Sequence, residues 1–299
     1  MPLSFIPQTS TSTQNLNQLE SSFMYTKIFK EILVELEYNE QSMTDLAAYC
    51  TKQYAENVIE LKTIEEFTRD YRADASIWWY TRECFAYQML NRSLRNLESD
   101  IMMKMGFFIR DLHKNIEILH SKQFTGNKNI AFTVYRGQGL SMENFAKLEK
   151  TKGGLMSFNS FLSTSMIRDI SFLYAKSAMT KPNSVGILFE MSINPSNSST
   201  AFANIESISY FDTEQEVLFS MNTVFRIGEF KQLENNNRLY QVTLSLTTDN
   251  DQDLQILTNR LREDTSPNAK GWYRMGELLL KLGQFDQAEQ VYLALLQQT

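Results

Sequence analysis

Through the first third of the chain, apolar residues return at three- and four-residue steps: Phe29, Ile32, Leu33 and Leu36 form one such set, and Met89, Leu90, Leu94 and Leu97 another. This is the period of a helix with one face against a core, and residues 16 to 122 accommodate about five such helices. Thr63, followed by Glu65, Glu66 and Phe67, reads as a helix start with acids in its first turn, where the helix dipole favours them. Residues 1 to 15 are rich in Ser, Thr, Gln and Asn, carry few apolar anchors and read as a flexible lead-in.

Past Gly126 the period changes. Ile130 to Tyr135 is dense in β-branched and aromatic residues and predicts a strand that ends on Arg136-Gly137. Leu155 to Phe158 and Ser160 to Ser163 predict short strands around Asn159, and Asp169 to Met179 predicts a helix. Further strands are expected at Ser184 to Ile193, Thr200 to Ile205, Glu214 to Met221, Val224 to Gln232 and Arg238 to Leu246. Helices first and strands afterwards is the order of an α+β fold with a largely antiparallel sheet. Thr247 to Asp253 reads as a polar linker, and helices return at about Leu254 to Arg262 and from Ala269 onward.

Composition narrows the function classes. The chain has 299 residues, 42% apolar and 21% charged, with a net charge of -6. It can build a sizeable core, and it lacks the basic footprint of a nucleic-acid binder. No apolar run approaches the length that spans a bilayer, and the N-terminus lacks a basic segment leading into an apolar one. No membrane partner is therefore expected. The two cysteines, Cys50 and Cys84, lie in helical patterns and form no disulfide framework, which favours a reducing, cytoplasmic setting. His113 and His120 are seven residues apart with no cysteine nearby, so they read as surface positions and no metal site is expected. Neither a P-loop nor a dinucleotide-binding glycine fingerprint occurs.

Three short stretches carry candidate chemistry. In Glu214-Gln215-Glu216 the two acids would project to one face of an extended backbone while Gln215 points away. Two carboxylates so close raise the pKa of one of them, although on an exposed edge both would be solvated. In Val134-Tyr135-Arg136-Gly137 a five-donor guanidinium stands beside a glycine that admits a close approach to the backbone. Such an arginine suits a diphosphate or a carboxylate ligand, or pairs with a structural acid. The third stretch, Ser163-Thr164-Ser165, offers hydroxyls that reach across a cleft floor.

Taken in this order, Arg136, Ser163-Thr164-Ser165 and Glu214-x-Glu216 resemble the arginine, serine and glutamate triad of the arginine-specific mono-ADP-ribosyltransferases. Ile77 to Arg95, with its Tyr80-Thr81 and its Asn91-Arg92-Ser93-Leu94-Arg95, also looks like the helix that precedes the catalytic sheet of that family. The resemblance spans about residues 65 to 245. It implies a split sheet that binds NAD as co-substrate, without a metal, and passes ADP-ribose to arginine side chains of proteins. It further implies that Glu216 acts on the nicotinamide ribose, that Ser163 orients Glu216, and that Arg136 clamps the diphosphate. Gly137 would offer backbone groups to the carboxamide, and Glu214 would engage the acceptor guanidinium. Phe172, or alternatively Tyr174, would stack on nicotinamide, unless Phe172 is plain core. Residues 203 to 213 would form the turn that presents the acceptor, with Tyr210 or Phe211 as its aromatic contact or as core packing. An NAD glycohydrolase and a catalytically silent interaction module remain as alternatives.

At the C-terminal end, Trp272, Met275, Gly276, Leu279, Gly283, Phe285, Ala288, Tyr292 and Leu295 fall at positions that resemble a tetratricopeptide repeat, the helical hairpin unit of many protein-binding arrays. The resulting division is a lead-in (1–15), a helical N-terminal region (16–62), a transferase domain (63–246), a linker with a short helix (247–267) and a partial repeat (268–299), which allows a protein partner for the repeats.

Overall fold

The computed structural model describes residues 3–6, 21–35, 38, 40–96, 98–124, 130–197, 200–211, 215–234, 236, 238–248, 251–256, 259, 271–281 and 283–298. The expectations for residues 7–15, the Gly126 turn, Glu214 and the helix start at Ala269 lie outside the described residues.

Among the described residues from 21 to 123 there are seven α-helices: α1 (Ser21–Glu35), α2 (Glu40–Gln53), α3 (Val58–Asp70), α4 (Ser76–Thr81), α5 (Phe85–Asn96), α6 (Ser99–Lys104) and α7 (Gly106–Gln123). They outnumber the five expected because residues 76 to 104 break into three short helices, and Glu83, at φ 56°, turns the chain between α4 and α5. A left-handed backbone in a non-glycine residue leaves no mark on apolar periodicity. The start expected at Thr63 also falls inside a helix. Asn57 caps α3 instead, its side chain accepting from the Glu60 N–H at 3.1 Å, so a boundary between residues 62 and 63 would cut α3. Around Phe67 the helices share an aromatic core, with Trp79 at 5.0 Å and Phe85 at 5.4 Å between ring centroids.

Nine described strands form one sheet in the order β1-β3-β8-β9-β5-β2-β4-β7-β6. They are β1 (Leu3–Ile6), β2 (Phe132–Ser141), β3 (Leu155–Phe158), β4 (Leu162–Ser165), β5 (Ser184–Ile193), β6 (Phe202–Asn204), β7 (Glu216–Phe219), β8 (Thr223–Gln232) and β9 (Leu239–Leu246), with helices α8 (Met142–Lys150) and α9 (Arg168–Ala178) between strands. Every pairing is antiparallel except β5 with β9. The lead-in expectation fails at Leu3–Ile6. These residues pair with β3, bury Phe5 and Ile6, and join Ser4 to Asn159 through side chains. A short strand needs only an open ladder and two apolar anchors, which composition does not reveal.

One junction in the sheet is thin. Strands β2 and β4 meet at a single residue pair, Tyr135 with Ser165, whereas β2 pairs with β5 over its whole length. The sheet is therefore split there. Strand β2 also continues through Gly137 to Ser141 instead of ending near Arg136, because these residues stay paired with Leu188 to Ser184 of β5, and α9 lies against it. A Cβ on Gly137 would stand 1.7 Å from the Ser171 carbonyl oxygen, so only glycine admits the helix at that distance.

Helix α7 ties the helical layer to the β4-β7-β6 half. The imidazole Nδ1–H of His120 donates to the Phe202 carbonyl at 2.9 Å, and the Gln123 side chain bonds the backbone of Asn204 in both directions. His113 is buried, contrary to the sequence reading, and His120 is half-buried. His113 is 4% exposed, with Nδ1 2.7 Å from the Ser220 hydroxyl and Nε2 3.1 Å from Glu117. Burial, with Lys30 and Lys114 nearby, pushes its pKa down to about 3. The ring is thus neutral, Nε2–H donating to Glu117 and Nδ1 accepting from Ser220.

Two C-terminal helices, α10 (Gly271–Lys281) and α11 (Phe285–Gln298), form a hairpin on α1 and α6. Trp272 meets Phe29 at 5.9 Å and Arg274 pairs with Glu31 at 2.9 Å, so the hairpin shares the core of the N-terminal helices. The segment leading to it is anchored as well, with Arg226 reaching Asp251 at 2.6 Å and Asp253 at 3.0 Å. Among the described residues no helix is long and apolar enough to cross a membrane.

Candidate active site

At the sheet split lies a cavity of about 450 Å³. Its floor comes from both halves of the sheet: Tyr135, Arg136 and Gly137 from β2, Ser163, Thr164 and Ser165 from β4, and Glu216 from β7. The helical layer supplies Tyr80, Thr81, Glu83 and Tyr87, and α9 supplies Ile170, Ser171 and Tyr174. Phe211 closes the remaining side.

Arg136 spans the split. Its Nη1–H donates to the Ser163 carbonyl at 2.5 Å and its Nε–H to the Gln138 side chain at 3.3 Å. Where the ladder between β2 and β4 lapses, the guanidinium occupies an acceptor that a strand neighbour would otherwise use. Burial lowers the basicity of Arg136, while the Tyr87 and Tyr80 hydroxyls and the Glu216 carboxylate act the other way. An arginine shifted downward in this way still carries its charge at neutral pH.

Glu216 opens β7. Its carbonyl accepts from the Ile205 N–H at 3.0 Å, and Ile205 is fully buried, which fixes the strand entrance. Across the ladder Glu216 stands opposite Ser165, and Ser163 stands opposite Leu218. All four side chains share one face, with Ser165 the direct neighbour of Glu216 and Ser163 the diagonal one, at about 7–8 Å between such positions. Thr164 belongs to the other face, its hydroxyl donating to the Val217 carbonyl at 2.8 Å.

Arg136, Gly137, Ser163 and Glu216, all singled out from the sequence, are thus brought to one cavity. Phe172 is not. It packs beside Ala175, Leu188 and Leu239 with the Arg168 guanidinium 5.7 Å from its ring, on the side of α9 that faces the sheet. Tyr174, the alternative, lines the cavity. Of the two aromatics on the turn, Phe211 lines the cavity while Tyr210 packs on Trp78 at 5.3 Å. Tyr80 and Tyr87 were not singled out as site residues, although they lie in the segment from Ile77 to Arg95 that carries a family likeness. Their rings meet edge to face at 5.2 Å. Burial raises the pKa of both hydroxyls, so both remain protonated donors at neutral pH.

Helices thus lie beside a split sheet, with the cleft at the split. Residues 51–249 match the model of the family described as ADP-ribosyltransferase exoenzyme, and the chain belongs to that family. Solved structures similar to this chain include three such enzymes. Vis toxin from Vibrio splendidus is 21% identical, with 73% of this chain and 91% of that chain covered and a TM-score of 0.42. HopU1 of Pseudomonas syringae pv. Tomato is 19% identical, with 75% and 97% covered and a TM-score of 0.43. The Clostridium limosum C3 exoenzyme is 16% identical, with 69% and 94% covered and a TM-score of 0.42. No curated protein matches the chain.

NAD is the co-substrate of this family, and the cavity's contents suit it. A permanent cation in the floor complements a diphosphate, and tyrosine rings and hydroxyls complement a base and a ribose. Among the described residues no cluster of three or more His, Cys, Asp or Glu could hold a metal ion.

Proposed function

We propose that the protein transfers a single ADP-ribose from NAD to arginine side chains of proteins and releases nicotinamide. The observation that carries this reading is that Arg136 and Glu216, from opposite halves of the split sheet, line one cavity with the Ser163-Thr164-Ser165 strand. Breaking the glycosidic C–N bond sends the electron pair to nicotinamide and leaves an oxocarbenium-like ribose, and a fixed carboxylate beside that charge lowers the barrier. Glu216 supplies it, with Ser163 orienting Glu216, Arg136 clamping the diphosphate and Gly137 beside the carboxamide. Tyr174 takes the nicotinamide-facing role considered for Phe172.

Glu214, outside the described residues, carries the acceptor half of the reading. A carboxylate holds a planar guanidinium in a bidentate fork while one nitrogen forms the new C–N bond and sheds a proton. The C-terminal hairpin is read as a tetratricopeptide unit that binds a protein partner. Gly276 supports this by seating the Tyr292 ring, as does Gly283, at φ 71° in the helix-to-helix turn. A cytoplasmic setting completes the reading, supported by Cys50 and Cys84 as buried free thiols.

The test is to incubate the protein with labelled NAD and agmatine, and to compare the wild type with Glu216→Gln and Glu214→Gln. Glu216→Gln should lose both transfer and NAD hydrolysis, and Glu214→Gln mainly transfer. Full activity in Glu216→Gln would overturn the mechanism, and hydrolysis without transfer in the wild type would make the protein a glycohydrolase.

A further inference from the structure

The turn that leads into Glu216 is held from outside the sheet. The Tyr210 N–H donates to the Thr81 hydroxyl at 2.8 Å, a contact between residues 129 apart in the chain, and Thr81 itself donates back to the carbonyls of Ile77 and Trp78 in α4. Above this bond the Tyr210 ring meets Trp78 edge to face at 5.3 Å. The Arg82 guanidinium lies 5.3 Å from the Trp78 ring, 5.1 Å from Trp79 and 5.9 Å from Tyr210. Glu66 on α3 fixes Arg82 with a 2.9 Å ion pair. The end of α4 thus grips Tyr210 by a backbone hydrogen bond, a ring contact and a cation.

The grip has a consequence for the next residue. Phe211 stands at 87° to the Tyr210 ring, 5.0 Å away, and faces the cavity. Its carbonyl accepts from the Ser209 hydroxyl at 2.6 Å, and the Ser209 N–H donates to Ile205, the residue whose own N–H bonds Glu216. With Tyr210 held on α4 and Ile205 buried at the base, Phe211 is placed at the cavity. Arg82 does not line the cavity, so it acts on the turn and not on NAD.

We propose that Thr81 and Arg82 are positioning residues for the acceptor: together they latch Tyr210 to the helical layer and thereby set the turn that meets the incoming side chain. The inference rests on the arginine-transfer reading for the identity of the acceptor. A loose turn leaves the NAD half of the site intact while the acceptor loses its oriented surface, so transfer falls and hydrolysis persists.

The experiment measures agmatine KM, NAD KM and NAD hydrolysis for the wild type, Arg82→Gln and Trp78→Leu. It also follows hydrogen exchange at the Tyr210 amide in these proteins and in Thr81→Val. The expected result is an agmatine KM raised about tenfold or more, with NAD KM and hydrolysis within about twofold of wild type. The Tyr210 amide should exchange at least about tenfold faster in Thr81→Val and Arg82→Gln. If NAD KM rises in step with agmatine KM, Arg82 merely supports the fold and the latch is wrong. If the wild type hydrolyses NAD without modifying agmatine, the arginine reading fails by itself and the exchange data decide. Unchanged exchange at Tyr210 in both variants would then overturn the latch, and faster exchange would sustain it for whatever acceptor the turn meets.

Discussion

Arg136 reaches across the sheet split and donates from Nη1 to the Ser163 carbonyl at 2.5 Å, beside the single residue pair that joins β2 to β4. The same guanidinium feels the Glu216 carboxylate and the Tyr80 and Tyr87 hydroxyls. One side chain therefore both closes the sheet and places a cation in the cavity.

Replacing Arg136 with lysine separates these roles from simple charge. A lysine keeps a point charge but cannot donate in two fixed directions to Ser163 and Gln138. Arg136→Lys should lower stability by about 1.5–3 kcal/mol, the range for a hydrogen bond made by a charged group. It should also shrink the rise in melting temperature that saturating NAD gives the wild type. Thermal melts with and without NAD read both, and a variant that melts like wild type in each condition would remove Arg136 from the site.

Tyr174 and Phe172 are close in sequence yet fall on different sides of α9, which makes them a controlled pair. Tyr174 is 63% exposed at the cavity, so Tyr174→Ala should leave the melting temperature nearly unchanged while raising NAD KM about three- to tenfold. Phe172 packs on Leu188 and Leu239. Phe172→Ala should instead cost about 1–3 kcal/mol of stability and leave NAD KM alone, the lower figure reflecting a side chain only partly buried. The opposite pattern would return the nicotinamide-facing role to Phe172.

These two residues also show what the sequence could and could not disclose. The strands were legible because β-branched and aromatic runs mark them, and Ser184–Ile193 ends at the expected residues. The floor residues Arg136, Ser163 and Glu216 were legible because each sits in a short motif whose order is informative. Position around a helix is harder: Asp169 to Met179 was readable as a helix, but which of Phe172 and Tyr174 meets the cavity depends on the glycines that let α9 settle on β2. Tyr80 and Tyr87 look like core aromatics until the sheet is placed beside them. Glu83 breaks a helix without a glycine or proline to announce it, and β1 exists through pairing with a strand about 150 residues away.

His113 supplies the clearest dependence on pH. Its pKa is about 3 in the folded protein, from burial first and then Lys30 and Lys114, against 6.5 for an ordinary histidine. Between those values the unfolded chain binds a proton that the native protein does not, so stability is full above pH 6.5 and declines as pH falls toward 3. The slope is about 1.4 kcal/mol per pH unit in that window. Lys30, lowered to about 8 mainly by burial, stays protonated in both states across this range and adds no slope there. Carboxylates titrate in the same acidic window, so the comparison is between wild type and His113→Gln, which shares every carboxylate. The variant should be less stable at pH 7, having lost part of the bonding to Ser220 and Glu117, and its urea midpoint should fall less steeply between pH 6.5 and 4. Parallel lines for the two proteins would mean that His113 is already charged in the fold, and the neutral bridge between α7 and Ser220 would have to be abandoned.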